Sequence, residues 1–235
     1  MISIKYQKII TGVFIERPNR FIARVMVDDE CHIVHVKNTG RCRELLIPGV
    51  TVFLSESDNP ARKTKYDLIA VEKETSNGVL LVNIDSQIPN DAVGEWLPEC
   101  GLFTKNAQIK REVKYRNSRF DFCVEDGKSK SFIEVKGVTL ENDGVVSFPD
   151  APTERGIKHI NELCKALDDG YEAYIIFVIQ MKNVKYFTPN YQTHKEFGEC
   201  LKTAKKKGVR LLAFDCLVLP DSIKIEDRIK IKLNP

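Results

Sequence analysis

From Ala107 to Val138 apolar and polar residues alternate through three successive runs separated by turn-forming residues, the pattern of three strands. In the middle run, Arg119 to Glu125, an extended backbone puts Phe120, Phe122 and Val124 on one side and Arg119, Asp121 and Cys123 on the other. The sequence EDG at 125–127 turns the chain. The next run, Ser131 to Val138, offers Ile133, Val135 and Val138 to a core and places Glu134 and Lys136 together on one face. Pairing these two strands over one core gathers Asp121, Glu134 and Lys136 into a patch. Two carboxylates beside an ammonium can hold a divalent cation and orient an attacking water. The plain alternative for a strand bearing ExK is a solvated ion pair contributing under about 1 kcal/mol.

The first eighty residues carry short apolar-rich runs at Gly12–Glu16, Arg20–Val27, Cys31–Val36, Val50–Ser55, Tyr66–Glu72 and Val79–Ile84. Turn-forming pieces such as RPN, NTG, IPG, SDNP and SNG separate them. Short strands at this spacing predict a small closed barrel, with an oligonucleotide-binding type as the leading candidate. Arg17, Arg20, Arg24, Arg41, Arg43, Arg62, Lys63 and Lys65 fall in or beside the turns, where cations can track a phosphate backbone. Turns are also simply polar, so the cluster alone does not decide. Cys31, His32, His35 and Cys42 are zinc-ligand types, but a strand turns His32 away from Cys31 and His35, and no second pair completes a finger.

Beyond a boundary near Asn83 the pattern changes, dividing the chain into 1–83 and 84–235. Residues 90–100 predict a short helix burying Val93, Trp96 and Leu97, with Glu95 on it. After the three strands, PDAP at 149–152 breaks the chain, and Thr153 is a good N-cap for a helix to about Leu167. Ile157, Ile160, Cys164 and Leu167 form its apolar stripe, leaving Glu154, Lys158, Glu162 and Lys165 off it. Tyr171 to Gln180 is a continuous apolar run of the kind buried on both faces of a sheet. A basic helix over Tyr191 to Lys207, closed by Gly208, and a strand over Val209–Phe214 complete an α/β unit around a mixed sheet.

Composition narrows the function classes. A net charge of +3 is too small to announce a nucleic-acid binder without local clustering. No apolar run approaches the roughly 20 residues of a membrane span, and MISIKYQKII lacks the layout of a signal peptide. Seven cysteines with no CxxC pair fit reduced thiols in a cytoplasm better than a disulfide framework.

The order of elements, with Asp121 on the second strand and Glu134-Val135-Lys136 on the third, resembles the PD-(D/E)xK nuclease core. The strings HVKNTGR, REVKYRNSRFDF, IEVKGVTL and FPDAPTERGIKHINEL are similar to those of the sugar fermentation stimulation protein A family, in order over nearly the whole chain. The resemblance implies an oligonucleotide-binding-like barrel followed by a restriction-endonuclease-like sheet flanked by helices. It also implies DNA as partner, with a regulatory part in sugar metabolism. By position, Asp121 and Glu134 would hold Mg²⁺ or Mn²⁺ and Lys136 would orient or activate the water. Glu95 and Glu112 compete as a further metal ligand, Glu112 having an ion pair as its alternative. Lys158 takes the helical place where the nuclease superfamily often has Gln or Lys, and its neighbour His159 is read as structural. Phe120 stands where that superfamily has proline. A metal-dependent deoxyribonuclease, a DNA-binding regulator that uses the fold only to bind, and a protein-interaction module all stay open.

Overall fold

The computed structural model describes residues 3–38, 40–76 and 78–234. Two turns expected from the sequence, NTG and SNG, each include a residue outside that range, Thr39 and Asn77.

The chain opens with β1 (Ile4–Lys5), followed by β2 (Ile9–Asn19), β3 (Ile22–Val27), β4 (Glu30–Val36), β5 (Thr51–Glu56), β6 (Tyr66–Thr75) and β7 (Gly78–Asn83). The six strands expected in this region are β2 to β7, paired in the order β4-β3-β2-β5-β6-β7. A parallel pairing of β4 with β6, His35 opposite Asp67 and Val36 opposite Leu68, closes the sheet into a barrel. Closure removes the open edges between those strands. The period of two is visible in β3, where Ala23, Val25 and Val27 are buried and Arg24 is exposed.

The second unit consists of α1 (Ile88–Trp96), β8 (Gln108–Tyr115), β9 (Ser118–Asp126), β10 (Ser129–Val138), β11 (Leu140–Asn142), β12 (Val145–Phe148), α2 (Glu154–Asp168), β13 (Glu172–Ile179), β14 (Tyr186–Pro189), α3 (Lys195–Lys207), β15 (Arg210–Leu219) and β16 (Ser222–Arg228). Seven strands form one mixed sheet in the order β1-β16-β15-β13-β10-β9-β8. The β10–β13–β15 centre is parallel and its flanks are antiparallel. β1 belongs to this sheet although it precedes the barrel, so a division of the chain at Asn83 does not hold for Ile4 and Lys5. A small sheet, β11-β12-β14, was not legible in the sequence, because its strands are only three or four residues long.

Thr153 caps α2 as expected, its Oγ1 accepting from Gly156 N at 3.1 Å. Gly208, at φ +119°, ends α3 in a conformation that costs other residues steric strain. That helix starts at Lys195 rather than Tyr191, because Asn190 Oδ1 accepts from Thr193 N at 3.1 Å and holds the approach as a turn.

Two apolar layers cover the sheet. One joins Phe120, Phe132 and Phe177 to Ile160, Leu163 and Leu201 of α2 and α3, and continues into the barrel interior through residues such as Phe14, Val25 and Leu68. The other packs Val93, Trp96 and Leu97 against Phe122, Val124, Ile133 and Val135. Phe120 therefore lies on the face opposite Phe122 and Val124, contrary to a simple alternation. The irregularity sits at Asp121 and its neighbour on β8, Glu112, whose φ is +54°. The β8–β9 register runs through Arg111–Phe122 and resumes at Val113–Phe120, with no pairing between.

Candidate active site

The same irregularity places Asp121. Pairing between β9 and β10 ends at Phe122–Ile133, and the strands then part. The N–H of Val135, two residues along β10, donates instead to Asp121 Oδ2 at 2.7 Å. A strand parting from its neighbour would otherwise strand a backbone donor, so the carboxylate completes the ladder. Asp121 Oδ1 accepts from Asn90 Nδ2 of α1 at 2.9 Å.

Glu134 faces α2 and is 3% exposed. Its Oε1 takes both the Lys136 ammonium and His159 Nδ1, while Oε2 has no hydrogen-bond partner among the described residues. Burial pushes Glu134 up, but the His159 hydrogen bond and the Lys136 charge outweigh it and hold the group below the ordinary carboxylate range. Asp121 is driven the other way. Its burial, followed by the Glu134 charge, pushes it to about 6, against opposition from Val135 N–H, Lys136 and Asn90. The two carboxylates thus share one field, the nearer cations having settled on Glu134.

Asp121, Glu134 and Lys136 are brought together as the strand pattern predicts. Lys158 is not with them: it is exposed, and its ammonium lies on Asn117 O at 2.9 Å. His159, read from the sequence as structural, is the α2 residue that reaches Glu134. Glu162 was expected off the buried stripe, yet it is 5% exposed. Both differences follow from one rotation of α2, whose buried residues are Gly156, His159, Ile160, Glu162, Leu163 and Ala166 rather than a stripe centred on Cys164. Glu95 does not reach the site from α1. Asn90 does, and five residues at 100° each put Glu95 well round the helix from it. Glu112 takes its ion-pair alternative, with Arg119 Nε at 2.6 Å.

Two hard oxygen donors, one with a bare buried atom, fit a small divalent cation whose remaining positions go to water or a phosphate oxygen. Among the described residues no group of three or more His, Cys, Asp and Glu gathers into a ready metal cage.

The barrel cations have varied fates. Arg17 donates to the carbonyls of Gly40 and Arg41 at 2.8 Å, Arg20 at 2.7 Å and Asn38 at 2.6 Å, so its two terminal nitrogens are engaged by the protein, while its Nε is buried without a hydrogen-bond partner among the described residues. Arg62 forks onto Asp67. Lys65 lies 3.3 Å from Glu56, and Lys63 is exposed. Arg20 stacks on Phe21 and, with Arg41 and Arg43, borders a cavity of about 570 Å³. Of the zinc-type quartet, Cys42 is buried, which pushes its thiol up to about 12, while His35 Nδ1 lies 2.9 Å from Asp67.

The molecule is thus a closed β-barrel followed by an α/β unit with paired acids at the parting of two strands. Family models for the SfsA N-terminal OB domain and the sugar fermentation stimulation protein RE domain match residues 15–83 and 87–222. The chain belongs to the sugar fermentation stimulation protein family. A homolog from Ruminiclostridium cellulolyticum is 56% identical, covering 98% of this chain and 100% of its own. One from Desulfitobacterium hafniense is 58% identical, covering 98% and 99%. The solved structure of Pyrococcus furiosus SfsA in complex with Ca²⁺ has a TM-score of 0.84 at 28% identity, covering 99% of each chain. No helix among the described residues is long and apolar enough to cross a membrane.

Proposed function

We propose that the chain is a DNA-binding protein whose α/β unit hydrolyses phosphodiester bonds with the help of Mg²⁺ or Mn²⁺. The observation that carries this reading is the pairing of half-buried Asp121 with buried Glu134 beside Lys136, Glu134 Oε2 having no hydrogen-bond partner among the described residues. Leaving a buried carboxylate oxygen bare costs stability, and a cation-binding role accounts for it. The Ca²⁺ complex of the Pyrococcus furiosus relative supports a hard divalent ion in this family.

Asp121 and Glu134 hold the cation, which when bound supplies charge relief on the phosphate oxygens. Val135 N–H and Asn90 fix the Asp121 carboxylate, and His159 fixes Glu134 from the opposite side, so neither acid has to reorganise during the reaction. Lys136 presents its ammonium beside Glu134, where it can hydrogen-bond an incoming water or a non-bridging oxygen.

The test is cleavage of labelled DNA by wild type and Glu134→Gln, each with Mg²⁺ and with EDTA. Gln keeps the size of the side chain and removes its charge, so cleavage should fall about a hundredfold or more, on the order of 3 kcal/mol in the barrier. Wild-type cleavage in EDTA, or equal rates for the two proteins, overturns the metal site. Binding by both without cleavage by either leaves a DNA-binding regulator as the better account.

A further inference from the structure

Beside the paired acids, the β8–β9 turn and the first half of α2 enclose a groove of about 640 Å³. Five cations line it, Lys114, Arg116, Arg119, Arg155 and Lys158, together with Ser118 and no carboxylate. His159 is also in its wall, with Nδ1 on Glu134 and Nε2 3.5 Å from Arg155 Nε. One imidazole therefore separates the groove from the paired acids.

Local stability does not favour this grouping. Lys114 and Arg119 are direct cross-strand partners, and like charges opposite one another in a sheet repel. Arg155 stands in the first turn of α2, where the helix dipole disfavours a cation, and Lys158 follows it at i+3. Two of the five have partners that hold them in place. Asp169 accepts Arg116 at 2.8 Å and the Tyr115 hydroxyl at 2.6 Å, while Glu112 takes Arg119. Lys114, Arg155 and Lys158 have no carboxylate partner among the described contacts. Ser118 Oγ is buried without a hydrogen-bond partner. Several unfavourable placements converging on one concavity are explained by an anionic ligand that offsets them.

We infer that this groove binds the sugar-phosphate backbone of a nucleic-acid strand and leads it past His159 to Glu134. The inference rests on the nuclease reading and adds to it the surface that holds the substrate. Five exposed cations are more than a single phosphate engages and fit a chain of phosphates, and contacts of this kind position a strand without reading its sequence.

The experiment is binding of labelled single-stranded DNA, duplex DNA and RNA, followed by anisotropy in EDTA across a salt series. Wild type is compared with the triple variant Lys114→Ala, Arg155→Ala and Lys158→Ala, and with a control losing the same charge on α3, Lys205→Ala, Lys206→Ala and Lys207→Ala. Melting temperatures of all three establish that they are folded. The groove variant should bind about tenfold or more weakly at 50 mM salt. Its log–log salt slope should flatten by about 2 on single strands and about 3 on duplex, from roughly 0.7 and 0.9 per lost phosphate contact. The control should keep the wild-type slope. Wild-type binding retained by the groove variant with unchanged affinity and slope overturns the groove alone. Equal losses in groove variant and control overturn it too, as general charge would then suffice. Should wild type bind no nucleic acid, the reading of the whole protein as DNA-binding fails.

Discussion

On the barrel, Arg17 places its terminal nitrogens on four backbone carbonyls and Arg62 forks onto Asp67, whereas around the parting of β9 and β10 Glu134 keeps a bare oxygen and Lys114 faces Arg119. Both regions are rich in charge, and both drew attention in the sequence for that reason. What distinguishes them is the supply of partners. A guanidinium surrounded by carbonyls stabilises the loops that offer them. Acids and cations crowded with their own kind weaken the local structure until a ligand of opposite charge arrives. Charge at a turn does not by itself mark a binding surface; the balance of partners does.

The largest effect that would sharpen this contrast is stabilisation by a divalent cation. At a hundred times its dissociation constant, Mg²⁺ or Mn²⁺ should add about 2.7 kcal/mol. For a chain of this size that is roughly 5–10 °C in melting temperature. The gain should depend on pH. Asp121 sits at about 6 in the fold against an ordinary 3.8, so between those values the native state holds a proton that the unfolded chain has released. Stability therefore falls as pH rises through that window, by on the order of 3 kcal/mol, and stays lower above it. A cation recovers that loss only where Asp121 is ionised. The shift should be larger at pH 7.5 than at pH 5, and Glu134→Gln should remove most of it. Equal shifts at both pH values, or none, would break the contrast.

Arg17→Ala tests the other side. Losing a charged donor to four carbonyls should cost about 2 kcal/mol, seen as a lower denaturant midpoint. A change within error would return Arg17 to the candidates for phosphate contact.

Arg62→Ala should cost about 1 kcal/mol near neutral pH, discounted because the pair is partly solvated. Burial pushes Asp67 up, but its hydrogen bonds from Arg62 and His35 prevail and hold it below its ordinary 3.8. Such a group stabilises the fold above its unfolded value, and this contribution is lost as pH falls through the folded one. The difference between wild type and variant should accordingly shrink on acidification below about pH 4. A constant difference would show that Arg62 acts through packing.

Thr153→Ala should cost a similar amount, about 1 kcal/mol from losing the Gly156 bond. It lies in the α/β unit, so a measured loss without a matching fall in cleavage would show that ordinary structural bonds there are separable from the site.

Much of the architecture was legible because it rests on short-range chemistry. The strand periods, the Thr153 cap, the Gly208 stop and the doubly buried β13 depend on residues close together in sequence. The ExK pattern set Glu134 and Lys136 on one face for the same reason, and both stay there. What failed depended on neighbours remote in sequence. Phe120 changes face because β8 contributes Glu112 at φ +54° against Asp121, a break that alternation along β9 cannot reveal.

The sequence determined which residues were available to the paired acids, their local spacing and the elements that carry them, since propensity, capping and period act within a few residues. Tertiary structure alone decided who meets whom. The packing of α2 over the sheet chose His159 rather than Lys158 for Glu134, and a turn of α1 presented Asn90 rather than Glu95 to Asp121. The rotation of a helix about its axis is set by the sum of all the surfaces it buries. A rotation of about 100° exchanges adjacent side chains while leaving the helix's own sequence pattern intact.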